Sequence, residues 1–390
     1  MENKLKKIIS EIKINETYND NVGILGGNSG VFIFLLLYSE LYSDNKAFNL
    51  ALKIIQKNMR IINNGKINYS YCNGISGYLY SLLFLSKNNY INKNVFVDIL
   101  DYFDNYIYNC MISDIKLNKF DFLHGAIGNG MYLINRIDNN RNAIKYIEEL
   151  VENLYNIAEI EEDGSIKWLS VVKYETQKKA YNLSLSHGSA SIIAFLLKVL
   201  EKNIYIEKSK TLIIGAIKYI KKNQNNLTNY NSYFPSWIDN EKENLESRLA
   251  WCYGDMGISI VLYNASKVLK DKKLEEYALE ILEYSTTRKN LGKNMVIDAG
   301  LCHGTAGIAS MFYRMYWNTK DEKFKNAAAY WFEKTMEKGK YYDGLAGYKT
   351  WHGEWVNDIS LLDGISGIGL AYLSWINQTE PFWDECLLLS

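Results

Sequence analysis

Two kinds of helical pattern alternate along this chain. In the first kind, apolar residues recur every three to four positions, so that one face of each helix is apolar; the clear examples are Lys46–Ile62, Arg141–Ile157, Lys208–Lys222 and Leu274–Thr287. In the second kind, as in Val31–Tyr38, nearly every residue is apolar, which predicts a helix buried on all sides. The alternation predicts outer helices with one exposed face and inner helices with almost none.

A short glycine motif precedes each all-apolar run. Its seven copies lie about 47 to 66 residues apart and begin at Gly27, Gly74, Gly125, Gly188, Gly254, Gly304 and Gly364. That period leaves room for two helices and a connection, as in helical repeats. The repeat predicts an all-α fold: an α/α toroid of seven helical hairpins, with fourteen helices in two concentric rings. We expect one catalytic domain over residues 1–390.

The repeat glycines have a predicted physical role. A glycine at the start of an inner helix tolerates a tight turn and lets crowded backbones approach closely. We also expect it to leave the first N–H groups of that helix open toward the ring centre, where they would favour anions.

Three intervals between copies are longer than the others, and their extra residues are polar and rich in turn formers. They are Glu161–Tyr181, Asn223–Ser247 and Gly339–Ser360. These segments predict loops or small β-hairpins over one mouth of the ring. Residues 223–247 are the best candidate for a small inserted element.

Charge and composition narrow the classes of function. Lysine plus arginine and aspartate plus glutamate both number 44, so the basic surface that nucleic-acid binding requires is not expected. The N-terminal residues Met1 to Tyr18 are amphipathic and lack the apolar stretch of a signal peptide. We therefore expect a cytoplasmic protein, in which five cysteines form no disulfide framework.

The residues suited to metal chemistry stand at the repeat glycines. Cys252 lies two residues before Gly254, and Cys302 and His303 directly precede Gly304. Neighbouring copies should bring these side chains together, and two thiolates with an imidazole are natural zinc ligands. Three protein ligands leave a fourth position open, which is the catalytic pattern. A fourth, structural ligand from His187, or a Cys/His nucleophile pair without metal, are the alternatives.

The same register brings further side chains to this mouth. His187 directly precedes Gly188, and Asp121 lies three residues before His124, which precedes Gly125. A packed core histidine is the favoured interpretation of His124, whereas a helix N-cap on its inner helix is the alternative to a functional role for Asp121. His352 lies in a loop with two tryptophans, and contact with substrate is the less expected role for it.

The charge of the metal group predicts its chemistry. A Zn²⁺ ion with two thiolates and a neutral histidine is electrically neutral, and therefore a mild Lewis acid. Such a centre is suited to binding a further thiol as a thiolate, whose pKa it lowers. We expect addition of sulfur to an electrophile rather than hydrolysis.

At these residues the sequence resembles the lanthionine synthetase C-like family, the cyclases of lantibiotic biosynthesis. The resemblance rests on the repeats and on the blocks Arg248-Leu-Ala-Trp-Cys-Tyr-Gly, Ser186-His-Gly and Cys302-His-Gly-Thr-Ala-Gly. It implies one zinc ion per chain on Cys252, Cys302 and His303. By motif, His187 and Asp121 match the family's acid/base positions, and Arg248 and Tyr253 match residues lining its active site.

The resemblance also implies a reaction and partners. The substrate would be a dehydrated precursor peptide, whose cysteine thiolates add to dehydroalanine or dehydrobutyrine to form thioether rings. A dehydratase and an exporter would be partners in a membrane-associated complex, which would hold this cytoplasmic chain at the membrane periphery.

Two other functions remain open at the level of sequence. A zinc thiol alkyltransferase of the prenyltransferase type also uses a helical toroid, but with six hairpins and an aspartate in its zinc set. A non-catalytic member of the superfamily that binds glutathione or a peptide would keep the metal ligands but would not need His187 and Asp121.

Overall fold

The computed structural model describes residues 1–14, 20–65, 67–92, 95–173, 175–241 and 245–390, and most of these residues are helical. Fourteen α-helices lie in this described part: α1 Glu2–Ile14, α2 Asn28–Tyr42, α3 Asn45–Asn63, α4 Ile75–Lys87, α5 Val97–Lys116, α6 Ala126–Ile134, α7 Asn142–Asn156, α8 Ser189–Glu201, α9 Ile206–Lys222, α10 Asp255–Leu269, α11 Lys272–Thr287, α12 Thr305–Thr319, α13 Glu322–Lys338 and α14 Ile365–Ile376. A 3-10 helix, Phe382–Leu387, follows them. The prediction of an all-α fold with fourteen helices is confirmed.

The two helical patterns correspond to two degrees of burial. The four segments predicted as half-buried helices are α3, α7, α9 and α11, with bounds within two residues of the prediction. In α3 the buried residues Leu50, Ala51 and Ile54 lie on one stripe, whereas all nine residues of α6 are buried. Each helix that follows a glycine motif is buried around most of its circumference, because its sequence offers no polar face to water.

The helices belong to two compact units. One comprises Met1–Leu100 and Ile297–Cys386, and within it α2 packs on α3, α12 on α13 and α1 on α14. The other comprises Asp101–Val296 and Leu387–Ser390, and within it α6 packs on α7, α8 on α9 and α10 on α11. One catalytic domain over residues 1–390 stays a prediction.

Backbone hydrogen bonds join successive repeat turns within each unit. In the second unit, the N–H of Phe122 donates to the carbonyl of Ser186 over 3.2 Å, and the N–H of Ser186 donates to that of Cys252 over 3.3 Å. In the first unit the bonds run from Cys302 to Leu362 (3.0 Å), from Leu362 to Leu25 (2.9 Å) and from Leu25 to Cys72 (3.1 Å). Equivalent positions of neighbouring copies therefore meet, as the repeat predicted.

Within the described residues, Asx turns are found at the start of four repeat turns, six residues before the glycine. In each, a side-chain Oδ1 accepts from the N–H two residues later: Asn68 (2.7 Å), Asn182 (2.9 Å), Asp298 (3.1 Å) and Asp358 (2.6 Å). The chain then folds back so tightly that a Cβ on Gly74 would lie 2.1 Å from the carbonyl oxygen of Asn68. This close approach explains the glycine.

The same turn satisfies the first N–H groups of the inner helices. The N–H of Ile75 donates to the carbonyl of Asn68 over 2.9 Å, and that of Thr305 donates to the carbonyl of Asp298 over 3.2 Å. The expectation that these groups stay open for an anion was wrong. The preceding turn supplies its own carbonyls because buried backbone donors require partners.

Small antiparallel strands occupy the three long intervals. They are β1 Glu159–Ile160, β2 Ile166–Lys167, β3 Leu169–Lys173, β4 Lys178–Asn182, β5 Trp237–Ile238, β6 Thr350–Trp351 and β7 Trp355–Val356. β1 pairs with β2 and β6 with β7, and a three-stranded sheet has the order β3-β4-β5. Residues 242–244 of the predicted insertion 223–247 lie outside the described residues, as do residues 15–18 of the N-terminal segment. No helix of the described part is long and apolar enough to cross a bilayer.

A buried ion pair fixes the segment that leads into α10. Arg288 Nη1 donates to Asp255 Oδ2 over 2.7 Å, and its Nη2 donates to the carbonyl of Ser247 over 3.0 Å. Asp255 also accepts from the backbone N–H groups of Tyr233 (2.9 Å) and Phe234 (3.0 Å). Burial raises the pKa of the Asp255 carboxyl, although the charge of Arg288 opposes this effect. The pair holds residues 247–254 in place.

Replacing Arg288 with methionine is expected to destabilise the protein strongly. The change leaves Asp255 buried without its cation, and breaking a buried pair in this way costs about 3–5 kcal/mol of unfolding free energy. Urea unfolding followed by circular dichroism measures the loss. Lys222→Met is the matched control: its partner Glu161 stays solvated, so the loss should be much smaller. Equal losses in both variants would contradict this account.

Candidate metal centre and its surroundings

Cys302 and His303 occupy the turn before α12. The carboxylate of Asp298 contacts this histidine: its Oδ2 lies 3.5 Å from His303 Nε2. The same oxygen accepts a hydrogen bond from the N–H of Trp351 over 3.1 Å. Burial raises the pKa of Asp298, but the hydrogen bond and charge of His303 have the larger, opposite effect. The pKa therefore lies below its usual value. An ionised Asp298 directs Nε2 toward itself and leaves Nδ1 of His303 as the ring atom for a metal.

A second carboxyl in the same unit is that of Asp363, which is half-buried. Burial raises its pKa to about 6, against the opposing charges of His303 and His352. His352 follows the short strand β6, with its Nε2 4.0 Å from Asp363 Oδ2. Two carboxyl groups, those of Asp298 and Asp363, therefore interact electrostatically with His303.

Cys252 occupies the corresponding turn before α10 and is buried, with 5% of its surface exposed. Its carbonyl accepts from both the N–H and the hydroxyl of Ser186, over 3.3 and 3.2 Å. Gly254 has a φ of +91°, and a Cβ there would lie 2.4 Å from the carbonyl oxygen of Arg248. Only glycine tolerates this conformation without strain, so the turn that presents Cys252 depends on it.

The three predicted ligands are divided between the two units, with Cys302 and His303 in the first and Cys252 in the second. They offer two sulfur atoms and one ring nitrogen as ligand atoms. Two soft thiols, one imidazole and a carboxylate behind that imidazole fit zinc.

His187 and Asp121 form a pair in the second unit. His187 Nδ1 lies 3.3 Å from Asp121 Oδ1, and Asp121 Oδ1 also accepts from the N–H of His124 over 2.9 Å. Burial raises the pKa of Asp121, but the hydrogen bond and charge of His187 outweigh it, and the pKa lies below its usual value. Asp121 therefore stays ionised at neutral pH. It is no helix N-cap, since α6 begins five residues later and its N-cap is Gly125.

Tyr253 and Arg248 flank Cys252 in sequence. The ring of Tyr253 lies 6.1 Å from that of His187, and its hydroxyl accepts from Asn182 Nδ2 over 3.3 Å. Arg248 is half-buried, and its guanidinium has no ion-pair or hydrogen-bond partner among the described residues. An unpaired, partly buried cation next to this turn can receive an anionic oxygen from a ligand.

Two histidines and one aspartate complete the comparison with the sequence. His124 is exposed, so the interpretation as a packed core residue was wrong, and His352 lies beside Asp363. Sequence reasoning missed Asp298. The signal was present, because an Asx residue six positions before the repeat glycine recurs at Asn68, Asn182 and Asp358.

The whole chain has the fold of a solved structure, nisin cyclase. The TM-score is 0.75 at 18% identity, covering 100% of this chain and 97% of that one. The likeness confirms the predicted α/α toroid. Fold and site together define a helical toroid protein with a Cys–Cys–His donor set.

The chain belongs to the lanthionine synthetase C-like protein family, which it matches over residues 18–388. It is 24% identical to the nisin biosynthesis protein NisC of Lactococcus lactis subsp. lactis over 408 aligned positions, 95% of this chain and 90% of that protein. It is also 24% identical to glutathione S-transferase LANCL1 of Danio rerio, over 50% of this chain and 46% of that protein.

The contact between Asp298 and His303 makes a testable prediction about metal affinity. Asp298→Asn keeps an oxygen for the Asx turn but removes the charge behind His303, so zinc affinity should fall about 10- to 100-fold. Competition with a chelator of known zinc affinity measures the change. Asp358→Asn, at the same repeat position before α14, is the control and should bind zinc as the unaltered protein does. Equal affinity in both variants would remove Asp298 from the site.

Proposed function

We propose that this protein is a zinc-dependent lanthipeptide cyclase, which adds cysteine thiols of a dehydrated precursor peptide to dehydroalanine or dehydrobutyrine. The observation that carries the proposal is the Cys252–Cys302–His303 group in a chain that belongs to the lanthionine synthetase C-like family. The family also favours a cyclase over the prenyltransferase-type alternative.

The donor set suits the activation of a thiol. One zinc ion per chain, bound by Cys252, Cys302 and His303, would supply a Lewis acid that lowers the pKa of a peptide thiol. The protein's part is to hold two thiolates and an oriented imidazole, while the low exposure of Cys252 limits the access of water.

His187 is the proposed proton carrier. Its Nδ1 faces the ionised Asp121, which holds the ring in one tautomer and leaves Nε2 free to exchange a proton with the substrate. The addition balances without a further reactant: the thiol loses a proton as sulfur bonds to the β-carbon, and the α-carbon gains one. His187 can serve either transfer.

Arg248 and Tyr253 are proposed to stabilise and orient the substrate. Addition of sulfur places negative charge on the carbonyl oxygen next to the α-carbon, and the unpaired guanidinium of Arg248 is suited to accept it. The Tyr253 hydroxyl accepts from Asn182 Nδ2 over 3.3 Å, which positions the ring near that of His187.

The biological setting follows from the same proposal. A peptide that arrives dehydrated requires a dehydratase before this enzyme, and a ring-bearing product requires an exporter after it. We propose that the protein works in the cytoplasm, at the membrane periphery through such partners.

Ring closure in a synthetic peptide tests the function. The probe contains one dehydroalanine and one cysteine and is incubated with the zinc-loaded protein. Because cyclisation is an isomerisation, the peptide mass should stay constant while its thiol stops reacting with N-ethylmaleimide. Persistence of the free thiol at the uncatalysed rate would contradict the proposal.

Glutathione is a second candidate thiol, since one relative is a glutathione S-transferase. The same reaction with added glutathione separates the two functions. A cyclase leaves the peptide mass unchanged, whereas transfer of glutathione to the dehydro residue adds the mass of one glutathione.

A further inference from the structure

The hairpin of strands β6 and β7 belongs to the same unit as the candidate ligand His303. Its tip, residues 352–354, is exposed to solvent. Gly353 at the tip has a φ of +87°, a conformation that glycine adopts more readily than other residues. The proposed function gives this hairpin no part, although the hairpin contacts the turn that carries His303.

Two hydrogen bonds hold the base of the hairpin to neighbouring repeat turns. Thr350 Oγ1 donates to the carbonyl of Asp363 over 2.6 Å, in the turn before α14. The N–H of Trp351 donates to Asp298 Oδ2 over 3.1 Å, in the turn before α12. The hairpin therefore connects the sixth and seventh copies of the repeat.

The pairing register leaves the N–H of Trp351 available for this contact. The N–H of His352 donates to the carbonyl of Glu354 over 3.0 Å, which makes Trp351 and Trp355 a non-hydrogen-bonded pair. In such a pair the N–H groups point away from the partner strand. Trp351 therefore donates to Asp298 without removing a bond from the hairpin.

Asp298 differs from its counterpart in the seventh copy, Asp358. Oδ1 of Asp298 accepts from the N–H of Gly300 over 3.1 Å, and its Oδ2 accepts from Trp351. Oδ1 of Asp358 accepts from the N–H of Ser360 over 2.6 Å, but within the described part of the chain its Oδ2 accepts no hydrogen bond. Because both oxygens of Asp298 are held, its carboxylate cannot rotate without breaking a charge-assisted bond.

The oxygen that the hairpin holds is also the one that lies 3.5 Å from His303 Nε2. A histidine that binds a metal takes its tautomer and ring orientation from the partner of its other nitrogen. We propose that the backbone N–H of Trp351 is a positioning group for the metal centre: it fixes Asp298 Oδ2, which in turn orients His303 with Nδ1 toward the metal. This inference rests on the proposed zinc-dependent function.

Trp351→Pro and Trp351→Ala are the matched variants. Both lose the indole ring and its contact with Trp355, but only proline removes the N–H. In chelator competition with the full-length protein, Trp351→Pro should bind zinc about tenfold less tightly than Trp351→Ala, which should stay within about threefold of the unaltered protein. After cobalt substitution, the visible absorption bands, which report ligand geometry, should shift in Trp351→Pro alone. Equal affinities and equal spectra in the two variants would overturn the proposal.

A double-mutant cycle with Asp298→Asn separates positioning from a general loosening of the hairpin. The side-chain amide of asparagine would place a donor where Oδ2 now accepts, so the contact with Trp351 is already lost. Adding Trp351→Pro should then weaken zinc binding by less than about threefold. A tenfold further loss in this background would indicate loosening and contradict the positioning role.

An ester in place of the 350–351 amide provides a second test if Trp351→Pro loses its helical circular dichroism. The α-hydroxy analogue of tryptophan removes the same N–H and keeps the indole, and the same tenfold loss of zinc affinity is expected. Because these measurements use no peptide, they are independent of the ring-closure assay. Loss of zinc affinity without ring closure by the unaltered protein would uphold the positioning role and reject the cyclase. Ring closure with equal zinc affinity in both Trp351 variants would overturn the positioning role alone.

Discussion

Cys302→Ala is expected to lose its zinc and its ring-closing activity while keeping its helices. The variant leaves two ligands, and a site of this kind requires three to hold the ion and present an open position. We expect metal content to fall from about one zinc per chain to near zero, and turnover of the dehydroalanine peptide to fall by about a thousandfold or more. Elemental analysis and the thiol assay measure the two effects.

The structure also explains why Cys302→Ala should keep its fold. The inner helices are buried against apolar neighbours, and the turn before α12 is held by backbone bonds to Leu362 and by the Asx turn at Asp298, none of which involves the Cys302 sulfur. Far-ultraviolet circular dichroism should therefore change little. Cys110→Ala, a free thiol outside the donor group, is the control and should retain metal and activity. Global unfolding of Cys302→Ala would indicate a structural metal instead.

His187→Asn is expected to separate catalysis from metal binding. Asparagine can still bond to Asp121 but cannot exchange a proton near neutral pH, so kcat should fall about 10²- to 10⁴-fold. Zinc content should stay near one per chain, because His187 is not in the donor group. Steady-state kinetics of peptide cyclisation, with elemental analysis of the same preparation, test both statements.

His124→Asn is the matched control for this variant. His124 holds the same repeat position before Gly125, but its side chain is exposed, and its hydrogen bond to Asp121 is made by the backbone N–H. Its kcat should stay within about threefold of the unaltered protein. If His187→Asn also kept full activity, proton transfer would have to be assigned elsewhere. Loss of zinc in His187→Asn would support the alternative of a fourth ligand.

The sequence was informative about the candidate site because each residue can be placed by its distance from a repeat glycine. The candidate ligands and the candidate proton carrier all lie within two residues of a repeat glycine, namely Cys252, Cys302, His303 and His187. Their shared position in the repeat predicts that they lie at one mouth of the ring. Asp298 was missed because its effect on His303 depends on how the Asx turn orients its second carboxylate oxygen.

The expectation of open helix N-termini was wrong because the glycine alone does not determine the path of the preceding chain. A glycine permits both an exposed N-terminus and a chain that folds back onto it. The carbonyls of Asn68 and Asp298 satisfy the first N–H groups of α4 and α12, so no general anion site arises from the repeat. We propose instead that one side chain, Arg248, receives an anionic oxygen near the candidate site.

The sequence by itself determined the helical class, the sevenfold repeat and which residues are candidate metal ligands, because periodicity and ligand type are local properties of the chain. Tertiary structure decided the pairing of α1 with α14, which joins the two ends of the sequence, and the order β3-β4-β5. It also decided which partner each polar group finds: Asp298 for His303, Asp121 for His187, and no protein partner for Arg248 among the described residues. These outcomes depend on contacts between residues far apart in sequence, whose energies no local pattern contains.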